Sequence, residues 1–179
     1  MCLNNWGGIS HKILEFNEYV NLFSGKSGSG KSTVMDAIQV LLYGSFSPSF
    51  LNKAADDAKN RRSVLSYLRG EQKDGTANRE NADFCSNIVL EIEDTGTHNY
   101  TCVGVAFEVK HNDSEIRKYV FFSHSGQIPE SEYINSNGYV YTNQEIKKLL
   151  EVRAQSDSNK GRDVNRTYTC LLYTSDAAD

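Results

Sequence analysis

Residues 21–44, NLFSGKSGSGKSTVMDAIQVLLYG, decide the reading of this chain. The stretch begins with small and apolar residues of strand character, places Gly25, Gly28 and Gly30 within six positions, and then changes to helical periodicity. Glycine permits left-handed backbone angles and lets a ligand come close to the main chain, at an entropic cost that an ordinary connecting loop has no reason to carry. Residues 25–32, GKSGSGKS, satisfy the pattern G-x-x-x-x-G-K-[ST] at every specified position. In that pattern main-chain N–H groups wrap a row of phosphates, and the start of the following helix adds unpaired donors and the positive end of its dipole. The expected nucleotide contacts are therefore Gly25, Ser27, Gly28, Ser29, Gly30, Lys31, Ser32 and Thr33. Lys31 is the candidate catalytic residue, a point charge at the β and γ phosphates of ATP; Ser32 offers a hydroxyl ligand to Mg2+; Thr33 is placed to bond the α phosphate.

Outward from the loop, Val34, Met35, Ile38, Leu41 and Leu42 share one face of the predicted helix, and Gly44 stands where a C-terminal cap belongs. Ahead of it, HKILEF (11–16) and YVNLFS (19–24) read as two short strands in a hairpin or edge pair. Val64, Leu65 and Leu68 predict a shorter helix ending at Gly70, followed by a polar loop, EQKDGTANRENAD, over 71–83. From about 86 to 123 the period is two: Ile88, Leu90 and Ile92, then Val103, Val105, Phe107 and Val109, then IRKYVFFS, each run separated by a short polar turn. Three strands so joined make an antiparallel meander. Thr142 followed three residues later by Glu145 is a capping-box signature, and Ile146, Leu149 and Leu150 give the helix expected over about 143–153 an apolar face.

A chain of 179 residues is long enough for one full domain with its own core and short for two. The net charge of −4 and the pI near 5.6 exclude a self-sufficient nucleic-acid binder, which carries a basic excess. One local basic stretch stands out, with Lys53, Lys59, Arg61, Arg62, Arg69 and Lys73, and its simplest reading is a solvated helix face. No apolar run approaches the roughly 20 residues of a bilayer crossing, and the first residues lack the pattern of a secretion signal, so no membrane partner and a cytoplasmic location are expected. Cys2, Cys85, Cys102 and Cys170 are scattered without metal-ligand spacing and read as reduced thiols. His98, His111 and His124 recur every thirteen residues, which fits successive strand ends better than a metal cluster.

A phosphate loop names a ligand and not a task. The meander that follows the first helix, where a small kinase or GTPase would alternate strands and helices, favours an ABC-type ATPase head. With NWGGI ahead of a strand, GKSGSGKSTVMDAIQVLLYG, FLNKAADDAKNRRSVLSYLRG and ESEYINSNGYVYTNQEIKKLLE, residues 5–150 resemble the amino-terminal lobe of SMC-like ATPase heads, of the kind found in MukB-like plasmid-defence subunits and SbcC-type repair ATPases. One departure is visible: Ser27 stands where relatives usually carry Asn, in GxNGxGKS.

The resemblance implies an α/β P-loop NTPase fold with an antiparallel β-meander subdomain over residues 1–155, then a polar segment and tail over 156–179. The ending TYTCLLYTSDAAD resembles the conceptual translation of a sequencing adapter, so a gene fragment with a non-native end is expected. It further implies ATP and Mg2+ as cofactors, a second head in a homodimer, DNA and accessory subunits as partners, and ATP hydrolysis only in the full-length protein. The glutamine, signature and acidic motifs of such heads follow Leu150 in the family. Two other readings stay open: a nucleotide-dependent dimerisation module without turnover, and a transporter ATPase.

Overall fold

The computed structural model describes residues 1–43, 51, 63–72, 75–111, 114–123 and 126–159. Gly44, His124, Cys170, the tail from 160 and every basic residue of the 53–73 stretch except Arg69 lie outside those residues. The chain is α/β, organised on a five-stranded antiparallel sheet.

Strands β3 (Phe84–Asp94), β4 (Asn99–Val109) and β5 (Ile116–Ser123) form the meander. β3 and β4 pair without interruption from Phe84↔Val109 to Asp94↔Asn99. The turn between them is closed by the Asp94 carboxylate, which accepts from Gly96 N at 2.9 Å and Thr97 N at 3.1 Å, an Asx arrangement that holds the tight reversal. These hydrogen bonds keep the Asp94 carboxyl below its ordinary range.

Two further strands extend the meander. β1 (Cys2–Trp6) lies against β3, with Leu3 opposite Ile88 and Asn4 opposite Asn87, and β2 (Ile9–Ile13) returns along its outer side, giving the order β2-β1-β3-β4-β5. This corrects the sequence reading in two places. The hairpin is made by CLNNW with ISHKI, and YVNLFS is no strand. A strand needs a neighbour to satisfy its backbone groups; both sides of β1 are taken, by β2 and β3, Leu14 still exchanges backbone hydrogen bonds with Met1, and residues 15–24 pair with no described strand.

Both faces of the sheet are covered. On one, Leu3, Ile88, Val105, Phe107 and Val109 meet helix α1 (Lys31–Tyr43) and the short helix α2 (Val64–Arg69). α2 starts at Ser63, whose side chain accepts from Ser66 N, and ends at Gly70 in the left-handed conformation. The face α1 buries is Val34, Ala37 and Val40, with Ile38 and Leu41 beside them; Met35 and Leu42, expected inside, point outward. Burial at i, i+3 and i+6 rotates the contact stripe away from the 35/42 line, which is the side where the described residues place nothing against the helix.

On the other face Cys2, Val89, Cys102, Ala106 and Phe121 pack against Tyr133 and, from helix α3 (Asn143–Asn159), Ile146 and Leu150. Space here is tight: a Cβ on Gly104 would lie 2.2 Å from the Phe121 ring on the adjacent strand. The Asn4 amide donates to Asn87 Oδ1 at 3.0 Å and to the Glu132 carbonyl at 2.8 Å, while His11 joins Asn4 Oδ1 to the Glu132 carboxylate, both at 2.6 Å. Those contacts fasten the segment around Tyr133 to the β1–β2 hairpin. Glu132 and Tyr133 both take positive φ, 51° and 62°, an uncommon backbone that the surrounding contacts hold in place.

Candidate nucleotide-binding loop

Residues 25–30 lead directly into α1, so the loop and the helix N-terminus form one continuous structure. Gly25 has φ 153°, and a Cβ there would sit 2.6 Å from Ser29 Oγ; Gly30, the last residue before the helix, has φ 88° and accepts from Val34 N at 3.1 Å. Neither place suits a residue with a side chain, which is the local reason for glycine at both. Within the loop Ser29 N donates to Lys26 O at 3.2 Å, closing a tight turn over Ser27 and Gly28.

The Lys31 side chain folds back across this turn. Its ammonium donates to Gly25 O at 2.7 Å and Lys26 O at 2.9 Å and lies 3.3 Å from Ser29 Oγ. The main chain and one side chain thereby hold a positive charge over the loop. Helix geometry leaves the N–H groups of the first turn without intrahelical acceptors, and α1 carries no acidic residue in that turn to compete for them. Ser27, Gly28, Ser29 and Ser32 are exposed, and Thr33 is half-buried. The eight residues expected to contact nucleotide thus lie in one solvent-accessible turn that is positive in charge and in dipole. That arrangement fits a polyphosphate.

What sequence reasoning missed is the clamp behind the loop. Trp6 Nε1 donates to Thr33 O at 2.9 Å, and the indole lies between Tyr67 of α2, 4.7 Å away, and Phe107 of β4, 6.1 Å away. Gly7 lies beside the same residue without room for a side chain, since a Cβ there would be 3.0 Å from Thr33 Cγ2. The Tyr67 hydroxyl reaches buried Asp36 at 3.1 Å, and Arg79 donates to Leu68 O and Gly7 O, tying the hairpin turn to α2. Burial lowers the Arg79 guanidinium from its ordinary value. The one signal available in the sequence was a lone tryptophan next to two glycines, NWGG.

Other candidate groups lie elsewhere. Arg69 donates to the carbonyls of Lys110 and His111, at 3.4 and 3.1 Å, at the end of β4. His98 pairs with Glu93 in the β3–β4 turn, and His111 follows β4. A cavity of about 550 Å3 near Arg117 and Tyr139 shares no residue with the loop; in its lining Asp83 pairs with Lys110 at 2.7 Å and Glu145 is held in a helix cap. Among the described residues no helix is long and apolar enough to cross a membrane.

No curated protein matches the chain. A family model described as an AAA domain matches residues 1–172. By that match over nearly its whole length, the chain belongs to the AAA-domain family of P-loop ATPases, whose members bind nucleotide.

Proposed function

We propose that this chain is the ATP-binding, amino-terminal lobe of an SMC-like ATPase head that acts on DNA, in translocation, plasmid defence or repair. The observation that carries the reading is the Lys31 ammonium held by two loop carbonyls over a run of free helix N–H groups. In this reading the amides of residues 25–33 bind the phosphates, Lys31 offsets charge at the β and γ positions, Ser32 ligates Mg2+ and Thr33 meets the α phosphate. Mg2+ held by Ser32 would offset charge on the phosphates.

The lobe works only together with a carboxy-terminal lobe, a second head and accessory subunits. Support for a second lobe comes from apolar side chains left exposed in the segment before the loop and on α1. Tyr19, Val20 and Leu22 are 86%, 76% and 89% exposed, and Met35, Leu42 and Tyr43 are exposed on the flank of α1. A patch of this kind marks an interaction surface. Residues 19–23 are rich in aromatic and branched apolar side chains, and they take strand form in this proposal when a neighbouring strand of the second lobe supplies backbone partners. Water-orienting and acidic groups for hydrolysis come from that lobe, so the 179-residue chain binds MgATP and turns it over poorly.

The test is phosphate release by the full-length protein, with and without DNA, in wild type and Lys31→Ala. DNA-stimulated release that the substitution abolishes is expected. Unchanged release in Lys31→Ala defeats the assignment. Nucleotide-dependent dimerisation with no release in either condition identifies a dimerisation module.

A further inference from the structure

We infer that Trp6 is a positioning residue for the phosphate loop, and that nucleotide binding is felt at its indole. The inference rests on the nucleotide reading above and extends it to a residue outside the loop motif.

Successive residues of a strand point to opposite faces. Leu3 enters the core on the α1 side, while Cys2 packs on the α3 side. Simple alternation would send Trp6 to the α3 side with Cys2. Asn5, however, has φ 51°, a left-handed conformation that Asn tolerates better than most residues, and its amide donates to Cys85 O at 2.8 Å. The kink coincides with the end of β1–β3 pairing at Asn4 and turns Trp6 to the α1 side, into the same core as Leu3.

That reversal brings the indole N–H to the carbonyl of Thr33, two residues after Lys31, at 2.9 Å. The ring is fully buried against Tyr67 and Phe107, so it is a fixed reference on the sheet. Gly7, having no Cβ, leaves the space beside the Thr33 methyl that a side chain at that position would crowd. The indole bond fixes the axial and rotational position of the first helical turn, and with it the direction in which the N–H groups of Lys31, Ser32 and Thr33 point. Helix ends fray when nothing holds them. A donor array that must be reordered at each binding event costs affinity, and one already held does not.

The experiment uses the 179-residue chain. Trp6→Phe keeps the aromatic ring and removes only the N–H. Loss of one hydrogen bond of ordinary strength should weaken MgATP binding about five-fold. Its melting temperature without nucleotide should change by less than the few degrees one such bond accounts for, since energy lost at the binding step is not lost again from the free chain. Ile146→Val, on the far side of the sheet, should lower the melting temperature at least as much and leave affinity alone. Equal affinity in wild type and Trp6→Phe overturns the inference and leaves the nucleotide reading standing, whereas no binding by wild type takes both down.

A second measurement needs no variant at position 6. Trp6 is the chain's single tryptophan, so its emission is unambiguous. MgATP should change that emission saturably in wild type and leave it unchanged in Lys31→Ala. Unaltered emission at saturating nucleotide shows that the indole does not sense the loop and overturns the inference.

Discussion

Single residues in this protein do work that depends on unusual backbone or deep burial. Asn5 is the clearest, because its left-handed φ decides which core receives Trp6. A β-branched residue there meets a steric penalty in the left-handed region, and the bond to Cys85 O is lost as well. Asn5→Val should therefore destabilise the chain by about 1–3 kcal/mol, while Asn5→Gly, which frees the backbone and loses only the amide bond, costs less. Urea unfolding of the two variants checks the order. The buried thiols behave differently. Burial pushes Cys2 and Cys102 up to about 12 and Cys85 up to about 11, from an ordinary value near 9. Since the folded state favours the neutral thiol, this contribution to stability is full below about pH 9 and is lost as pH rises from there toward about 12. Iodoacetamide at pH 8 should leave Cys2 and Cys102 unmodified in the native chain and label both in urea, as read by mass spectrometry. Labelling of either in the native state contradicts the packing described.

At the scale of elements, each helix is set by its ends and by the strand face below it. Helix α3 begins with a reciprocal cap: Thr142 N donates to the Glu145 carboxylate at 2.8 Å and Glu145 N to the Thr142 hydroxyl at 3.2 Å. The bond from Thr142 N lowers the Glu145 carboxyl below its ordinary range. A lowered carboxyl stabilises the fold above its ordinary titration range and ceases to do so as pH falls through the lowered value. Thr142→Ala keeps that backbone N–H and loses the hydroxyl, which accepts from Glu145 N and donates to the Glu145 carboxylate at 2.9 Å; it should cost about 1 kcal/mol at neutral pH, and the part carried by the hydroxyl–carboxylate bond should shrink on acidification. Thermal melts at several pH values measure it; a difference that grows on acidification would falsify the cap assignment. This cap was legible from the sequence because both partners lie within one turn. β1 was not, because CLNNW has no clean alternation and its pairing with β3 spans more than eighty residues. Nor was the second covered face of the sheet, since Asn87, which alternates with Ile88 and shares a face with Val89, is polar and yet fully buried.

For the whole molecule, a three-layer body of α1 and α2, sheet, and α3 carries the loop at one end of α1. The loop was readable at 25–32 because its chemistry needs particular residues at adjacent positions: glycine where φ is positive, lysine where a charge must fold back. The clamp through Trp6, Gly7 and Arg79 was not, because its contacts join parts of the chain far apart in sequence. The stripe of α1 that was misassigned, Met35 and Leu42, lies with Tyr19 and Leu22 among the exposed apolar residues. Substitutions on exposed side chains rarely move stability by more than about 0.5 kcal/mol. Tyr19→Lys with Leu22→Lys should therefore leave the melting of this chain nearly unchanged while abolishing ATPase activity of the full-length protein. Full activity in that double variant removes the interface from the account. The most direct test of the central claim is calorimetric titration of MgATP into the 179-residue chain and its Lys31→Ala variant. Saturable heat in wild type and none in the variant is the expected result; equal heats, or none in either, contradict the assignment of residues 25–33 as the phosphate site.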